Sequence, residues 1–278
     1  MALDPDKLLA LPPLVTRQTL TKRDTILYAL GVGVHELDFV FEERLKALPT
    51  IPAVLGYPGF FWREPEYGVD WRRVLHGEQS VEIHAPLPVE GELEAETRIE
   101  ALYDKGPDKG AVALSSRRIS MNGKALATVR ISTFLRGDGG FGGSSAGQPV
   151  PHPVPADRQP DQSVVLKTAA NQAMIYRLSG DYNPLHVDPE VAKAGGFPQP
   201  ILHGLCTYGV AGWALLQALC GADPSRLKTL NVRFSSPVFP GETIVTDIWH
   251  EGPGRAAFRA SVAERNVMVL NNGYVEFE

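Results

Sequence analysis

Residues 203–220 read HGLCTYGVAGWALLQALC, apolar on nearly every side of a helix drawn through them. The length of the run fits a helix, and a helix without a polar face must be covered on all sides. The sequence downstream supplies the cover. Strand-like stretches at 228–235, 242–251, 255–265 and 267–277 are parted by Gly and Pro turns. A long buried helix with antiparallel strands after it reads as a sheet wrapped round a helix, an α+β arrangement. Upstream, residues 171–178 read as a short helix ended by Gly180, and a second short helix falls near 189–194.

The plan is repeated. ILYALG at 26–31 parallels MIYRLSG at 174–180, PAVLG at 52–56 parallels PILHG at 200–204, and PLPVEGE at 86–92 parallels PVFPGE at 237–242. Tyr28 and Tyr176 are separated by 148 positions, Pro52 and Pro200 by 148, and Pro86 and Pro237 by 151. Three matches in one order at a nearly constant offset indicate duplication. Residues 138–162, DGGFGGSSAGQPVPHPVPADRQPDQ, keep neither helical nor strand periodicity. The chain therefore divides into an N-terminal repeat at 1–137, a Gly/Pro/Ser-rich linker at 138–162 and a C-terminal repeat at 163–278. In the first repeat the central helix is interrupted at Tyr57-Pro58-Gly59. Such a break would open an apolar cavity, unless Phe60, Phe61 and Trp62 fill it.

With 278 residues, 44% hydrophobic and 21% charged, the chain can bury a sizeable core. A net charge of -5 argues against a nucleic-acid surface. Cys206 and Cys220 sit in the apolar run without metal-type spacing, which reads as buried reduced thiols. No metal site is evident, and no GxGxxG fingerprint opens a helix after a strand. The N-terminus lacks a basic start with an apolar core, no apolar stretch has membrane-spanning length, and GYVEFE is not a peroxisomal address. A cytoplasmic protein without membrane partners is expected.

Residues 176–186 read YRLSGDYNPLH. Gly180 can end the helix with positive φ, and Pro184 stiffens the loop. The loop can point Asp181, Asn183 and His186 into one cavity. A carboxylate and an imidazole sharing a water form an acid/base pair, and Asn183 offers a donor and an acceptor for orienting it or a carbonyl. Taken alone, GDYNP is equally an Asx turn. Farther on, Gly204 would lie in the first turn of the buried helix, where backbone N–H groups lack helical partners. Without a side chain it lets a ligand oxygen approach that N–H, at the helix end that favours negative charge. Acyl thioesters need such an oxyanion site.

GDYNPLH, with PILHGL after a short spacer, resembles the signature of R-specific (type 2) enoyl-CoA hydratases, members of the MaoC-like dehydratases. DTILYALGVG and LHGEQSVEIHAPLP are similar to the N-terminal domain of the two-domain members, so the resemblance covers nearly the whole chain. It implies a double hot-dog fold and hydration of trans-2-enoyl-CoA to (R)-3-hydroxyacyl-CoA. Asp181 and His186 would activate the water, Asn183 would support the site and bind substrate, and the Gly204 N–H would hold the thioester oxygen. It implies no cofactor, coenzyme A being part of the substrate, and acyl-CoA as partner. A homodimer is compatible with it. Leu55 stands where the second half has His203, and Gly33-Val34-His35 comes after Gly31 where Asp181 and Asn183 would be needed, so the first repeat should be non-catalytic. The alternatives are a dehydratase acting on acyl-carrier-protein substrates, a hot-dog acyl-CoA thioesterase and a non-catalytic acyl-CoA or lipid-binding module.

Overall fold

The computed structural model describes residues 3–278; Met1 and Ala2, the start of the expected N-terminal repeat, lie outside it. The first half contains α1 (Pro5–Leu9), β1 (Leu14–Leu20), α2 (Lys22–Gly31) and α3 (Leu37–Val40), then β2 (Val74–Ile83), β3 (Gly91–Asp104), β4 (Ala111–Met121) and β5 (Lys124–Leu135). The second contains β6 (Gln162–Lys167), α4 (Gln172–Tyr176), α5 (Pro189–Ala194) and α6 (Gly204–Cys220), then β7 (Leu227–Phe234), β8 (Thr243–His250), β9 (Arg255–Val262) and β10 (Val267–Phe277). The strands form one ten-stranded antiparallel sheet in the order β1-β3-β4-β5-β2-β7-β10-β9-β8-β6.

That order is a palindrome. Each half contributes the same five-strand series, and the two meet at β2 and β7. Ser80 lies opposite Asn231 there, a separation of 151, equal to that of the sequence repeat. The Ser80 hydroxyl donates to the Asn231 side-chain oxygen at 2.6 Å. Tyr28 and Tyr176, the other matched pair, face each other with ring centroids 6.0 Å apart. Repeat-equivalent residues touching one another define an internal twofold, so the halves are two hot-dog units joined edge to edge.

The core sits round α6. Apart from Gly204, Leu205, Gln217 and Ala218, every residue of α6 is buried. Both cysteines are buried and unpaired. Gly209 and Gly212 face the other half: a Cβ at the first would meet Val32 Cγ1 at 2.4 Å, and at the second Thr50 Cγ2 at 2.4 Å. The missing side chains let the first half press directly on the helix. Among the described residues, no helix is long and apolar enough to cross a membrane.

The first half has only the 3₁₀ turn Ile51–Ala53 where α6 would be expected, so the helix is broken there. The anticipated open cavity is largely covered. Ala111, Ala113, Ser115, Arg117 and Ile119 alternate along β4 and are all buried on one face. Phe61, Trp62 and Tyr67 pack over the Ala111–Ala113 end in a second apolar cluster with Leu8 and Leu135. Phe60 meets Trp71 edge-on at 6.4 Å. At the Arg117 end the guanidinium donates to the carbonyls of Pro52 and Ala53 at 3.2 and 2.6 Å. Tyr57, between these two ends, is 45% exposed.

Residues 138–161 carry no helix or strand but are tied down. The Asp104 carboxylate accepts from the N–H groups of Gly140 and Gly142 at 2.7 and 2.9 Å, and Asn272 donates to the His152 carbonyl at 2.7 Å.

Substituting alanine at Gly209 or Gly212 adds roughly 1 kcal/mol of helix propensity but overpacks the junction at a cost of about 1–3 kcal/mol. Urea denaturation should show each variant less stable than the parent. A gain in stability at both positions would contradict the direct contact of the halves at α6.

Candidate active site

Three short segments meet at one end of α6. The first is the loop after α4. Gly180, at φ +121°, ends the 3₁₀ turn Arg177–Ser179, and the chain reverses into Asp181. The Asp181 carboxylate accepts from the Asn183 N–H at 3.2 Å, and the Asn183 side-chain oxygen accepts from the Leu185 N–H at 3.1 Å. Asn183 thus spends its oxygen on shaping the loop, leaving Nδ2 to offer to a ligand. Pro184 opens the 3₁₀ turn Pro184–His186 that delivers His186.

His186 is 8% exposed, and its Nδ1 lies 2.8 Å from the Ile201 carbonyl. A carbonyl only accepts, so Nδ1 carries the proton and Nε2 is left as an acceptor. Nε2 stands 4.0 Å from Asp181 Oδ2. Two acceptors cannot bond each other. A water giving one hydrogen to each would bridge them, since two bonds of about 2.8 Å span a 4.0 Å gap with an angle of about 90° at the water oxygen. Burial holds the His186 pKa below the ordinary imidazole value, against the Ile201 bond and the Asp181 charge, which raise it.

The second segment is 201–204, leading into α6. His203 is 1% exposed and stacks on His186 with ring centroids 3.7 Å apart at 27°. Its Nε2 lies 3.1 Å from the Asp181 carbonyl. Burial, foremost, and then His186 push its pKa down to about 4. The first intrahelical bonds of α6 run from the N–H groups of Cys206 and Thr207 to the His203 carbonyl, so the N–H of Gly204 precedes the ladder. Gly204 is exposed, and a Cβ there would meet the Phe234 ring at 3.3 Å. A backbone N–H outside the ladder, at the positive end of a long helix, can receive a ligand oxygen that carries negative charge.

The third segment comes from the first half and was not anticipated from sequence. His76 of β2 packs edge-on against Phe234, with centroids 4.8 Å apart. His76 is exposed, although protein groups crowd round its ring. Burial pushes its pKa down to about 4, with Asp181 raising it and Arg117 lowering it. Tyr57 stands under the Arg117 guanidinium, 5.7 Å from carbon to ring centroid, and its pKa is raised by burial and by Asp181. Arg117 is buried without a carboxylate partner among the described residues, and burial pushes its pKa down to about 10.

Asp181, His186 and His203 have ligand-type atoms within 4.8 Å of one another. Distance alone would let them hold a cation. One nitrogen of each imidazole already faces a carbonyl, though, and the two rings are stacked 3.7 Å apart. The arrangement suits a bridging water better than tetrahedral coordination.

Residues 152–272 match the family model described as MaoC like domain, and residues 18–137 match that of the MFE-2 hydratase 2 N-terminal domain. The 3-hydroxyacyl-thioester dehydratase Y of Mycobacterium tuberculosis is 43% identical over 100% of this chain and 99% of its own length. The peroxisomal enoyl-CoA hydratase 2 of Arabidopsis thaliana is 40% identical over 94% of this chain and 91% of its own. The crystal structure of a MaoC-like dehydratase from Phytophthora capsici superposes with a TM-score of 0.90 at 41% identity, covering 98% of both chains.

The buried histidines make stability pH-dependent. His203 and His186 are held neutral in the fold, below the ordinary value of 6.5. An unfolded chain takes up protons on them below about 6.5, whereas the fold refuses one on His203 until about 4. Their contribution is therefore complete above about 6.5 and is lost as pH falls toward 4. Urea midpoints measured across that range should decline steadily, and a flat profile would contradict the burial of neutral imidazoles.

Proposed function

This chain belongs to the MaoC-like dehydratase family, in the form that carries a hydratase 2 N-terminal domain, and from that premise we propose that it reversibly hydrates trans-2-enoyl-CoA to (R)-3-hydroxyacyl-CoA. The observation that carries the reading is the 4.0 Å gap between Asp181 Oδ2 and His186 Nε2, next to the free N–H of Gly204. Two acceptors that cannot bond each other hold a water, and a donor at a helix N-terminus holds a thioester oxygen.

The thioester carbonyl is conjugated with the C2=C3 bond. A hydrogen bond from Gly204 draws electron density toward the oxygen, leaves C3 electrophilic and stabilises the enolate-like transition state. The bridged water breaks one O–H bond to Asp181 as its oxygen bonds to C3. The π pair of C2=C3 moves onto C2, and the proton taken by Asp181 is handed to C2 on the same face. Neutral His186 accepts the water's other hydrogen and fixes the direction of attack. Asn183 supports the loop and offers Nδ2 to the substrate. Coenzyme A belongs to the substrate, and no separate cofactor takes part.

Run backwards, the same groups dehydrate a 3-hydroxyacyl thioester, the reaction in the name of the M. tuberculosis relative. Microscopic reversibility makes the two directions one site, and the thioester supplied decides which is seen.

Asp181→Asn and His186→Gln should each lower hydration on the order of 10² to 10⁴-fold, as loss of a positioned acid or base does. The assay is the disappearance of the enoyl absorbance of crotonyl-CoA, with circular dichroism to verify the fold. Turnover near that of the parent in either folded variant would remove the pair from the mechanism.

A further inference from the structure

The residue before Gly204 does something its position does not require. His203 is the N-cap of α6, at φ −56° and ψ 135°, yet its side chain caps nothing. A serine, threonine, aspartate or asparagine there would satisfy one of the free N–H groups. The imidazole turns away instead, toward the catalytic loop. It faces a carbonyl, that of Asp181, through Nε2, so Nε2 carries the proton and donates. Nδ1 is left as a buried acceptor without a partner among the described residues. Helix capping explains neither the ring nor its orphan nitrogen.

The contacts fall on both members of the water-holding pair. His186 is anchored at one atom only, Nδ1 against the Ile201 carbonyl, and a single bond leaves the ring free to swing about it. The face of His203, 3.7 Å away, blocks that swing and fixes where Nε2 points. Tyr176, with its ring centroid 5.0 Å from that of His203, backs the stack. The bond from His203 to the Asp181 carbonyl holds the backbone from which the carboxylate projects. Residues 201–204 therefore grip His186 twice and Asp181 once, then run directly into the oxyanion N–H.

We propose that His203 is a positioning residue for hydration: its ring sets the plane of His186, its N–H sets the backbone of Asp181, and both are thereby fixed relative to the Gly204 N–H. The proposal rests on Asp181 and His186 being the catalytic pair. It assigns His203 no proton transfer. Its ring covers one face of His186, part of the burial that keeps that imidazole neutral to lower pH. The charged and titratable groups facing the pair are Asp181 on its loop and Arg177 and Tyr176 before it. From the first half, His76 and Tyr57 feel the Asp181 charge, and Arg117 acts on both.

The test uses the full chain and crotonyl-CoA. A small misplacement of reacting groups costs up to about 10²-fold, so His203→Ala should lose kcat on that order while KM stays within about threefold. With the ring gone, water reaches His186 and its pKa rises, so the acid limb of kcat/KM moves to higher pH. His203→Gln restores a donor toward the Asp181 carbonyl but no ring; it should recover part of kcat and keep the displaced limb. His203→Phe restores a ring but no donor; it should keep the parental limb and recover only part of kcat. Parental kcat in folded His203→Ala would overturn the proposal, as would a loss of kcat with the acid limb unmoved. Should the alanine variant fail to fold, a glutamine variant with parental kcat and limb overturns it equally. Asp181→Asn is measured alongside. If it is inactive while His203→Ala is unimpaired, this inference alone falls. If Asp181→Asn is active, the catalytic pair falls and takes the inference with it.

Discussion

A helix that exposes almost no side chain leaves the chain little freedom in arranging the rest. α6 has to be enclosed, and one five-strand sheet can cover only part of it. The remainder is covered by the other half, which reaches it through the bare faces of Gly209 and Gly212. Enclosing the body of the helix leaves its N-terminus as the part that meets the cleft, with an N–H group outside the ladder. The N–H to which the proposed function assigns the thioester oxygen is thus left free by the same burial that holds the two repeats together. Within the second repeat, Tyr208 donates from its hydroxyl to the Leu230 carbonyl at 3.0 Å, tying α6 to β7.

The duplication explains why a half without the catalytic loop is retained. The first repeat lacks Asp, Asn and His at the matching positions, but β2 supplies the edge on which β7 pairs. Pairing in that register brings His76 against Phe234, and Phe234 lies over Gly204. The Arg117–Tyr57 contact forms where the first helix is broken. A regular helix there would carry no loop at Tyr57, and the stretch nearest Asp181 would close.

The sequence makes some of these features legible and hides others for physical reasons. Asp181, Asn183 and His186 can be read because their geometry is local: Gly180, Pro184 and an Asx turn set it within a few residues. The duplication can be read because equivalent positions in the repeats keep a nearly constant separation, whereas the order of the ten strands comes only from the structure. The stack of His203 on His186 cannot, since HGL reads as an ordinary helix start and nothing in it tells which way the imidazole turns. His76, Tyr57 and Arg117 are hidden further, because sheet pairing across the whole chain brings them to the cleft. The break at Tyr57-Pro58-Gly59 marks where the first helix stops but leaves open whether the aromatic residues after it fill the space, and the structure packs Phe61 and Trp62 over one end.

The proposed site supports one reaction with one stereochemical outcome. Holding the thioester oxygen at Gly204 and the water between Asp181 and His186 presents a single face of the enoyl group to the nucleophile. The most direct measurement is incubation of the full chain with crotonyl-CoA, monitoring the enoyl absorbance and resolving the product on a chiral phase. The proposed mechanism predicts loss of the absorbance with formation of (R)-3-hydroxybutyryl-CoA and no free coenzyme A. Formation of the S product, or release of coenzyme A from an intact enoyl chain, would contradict it.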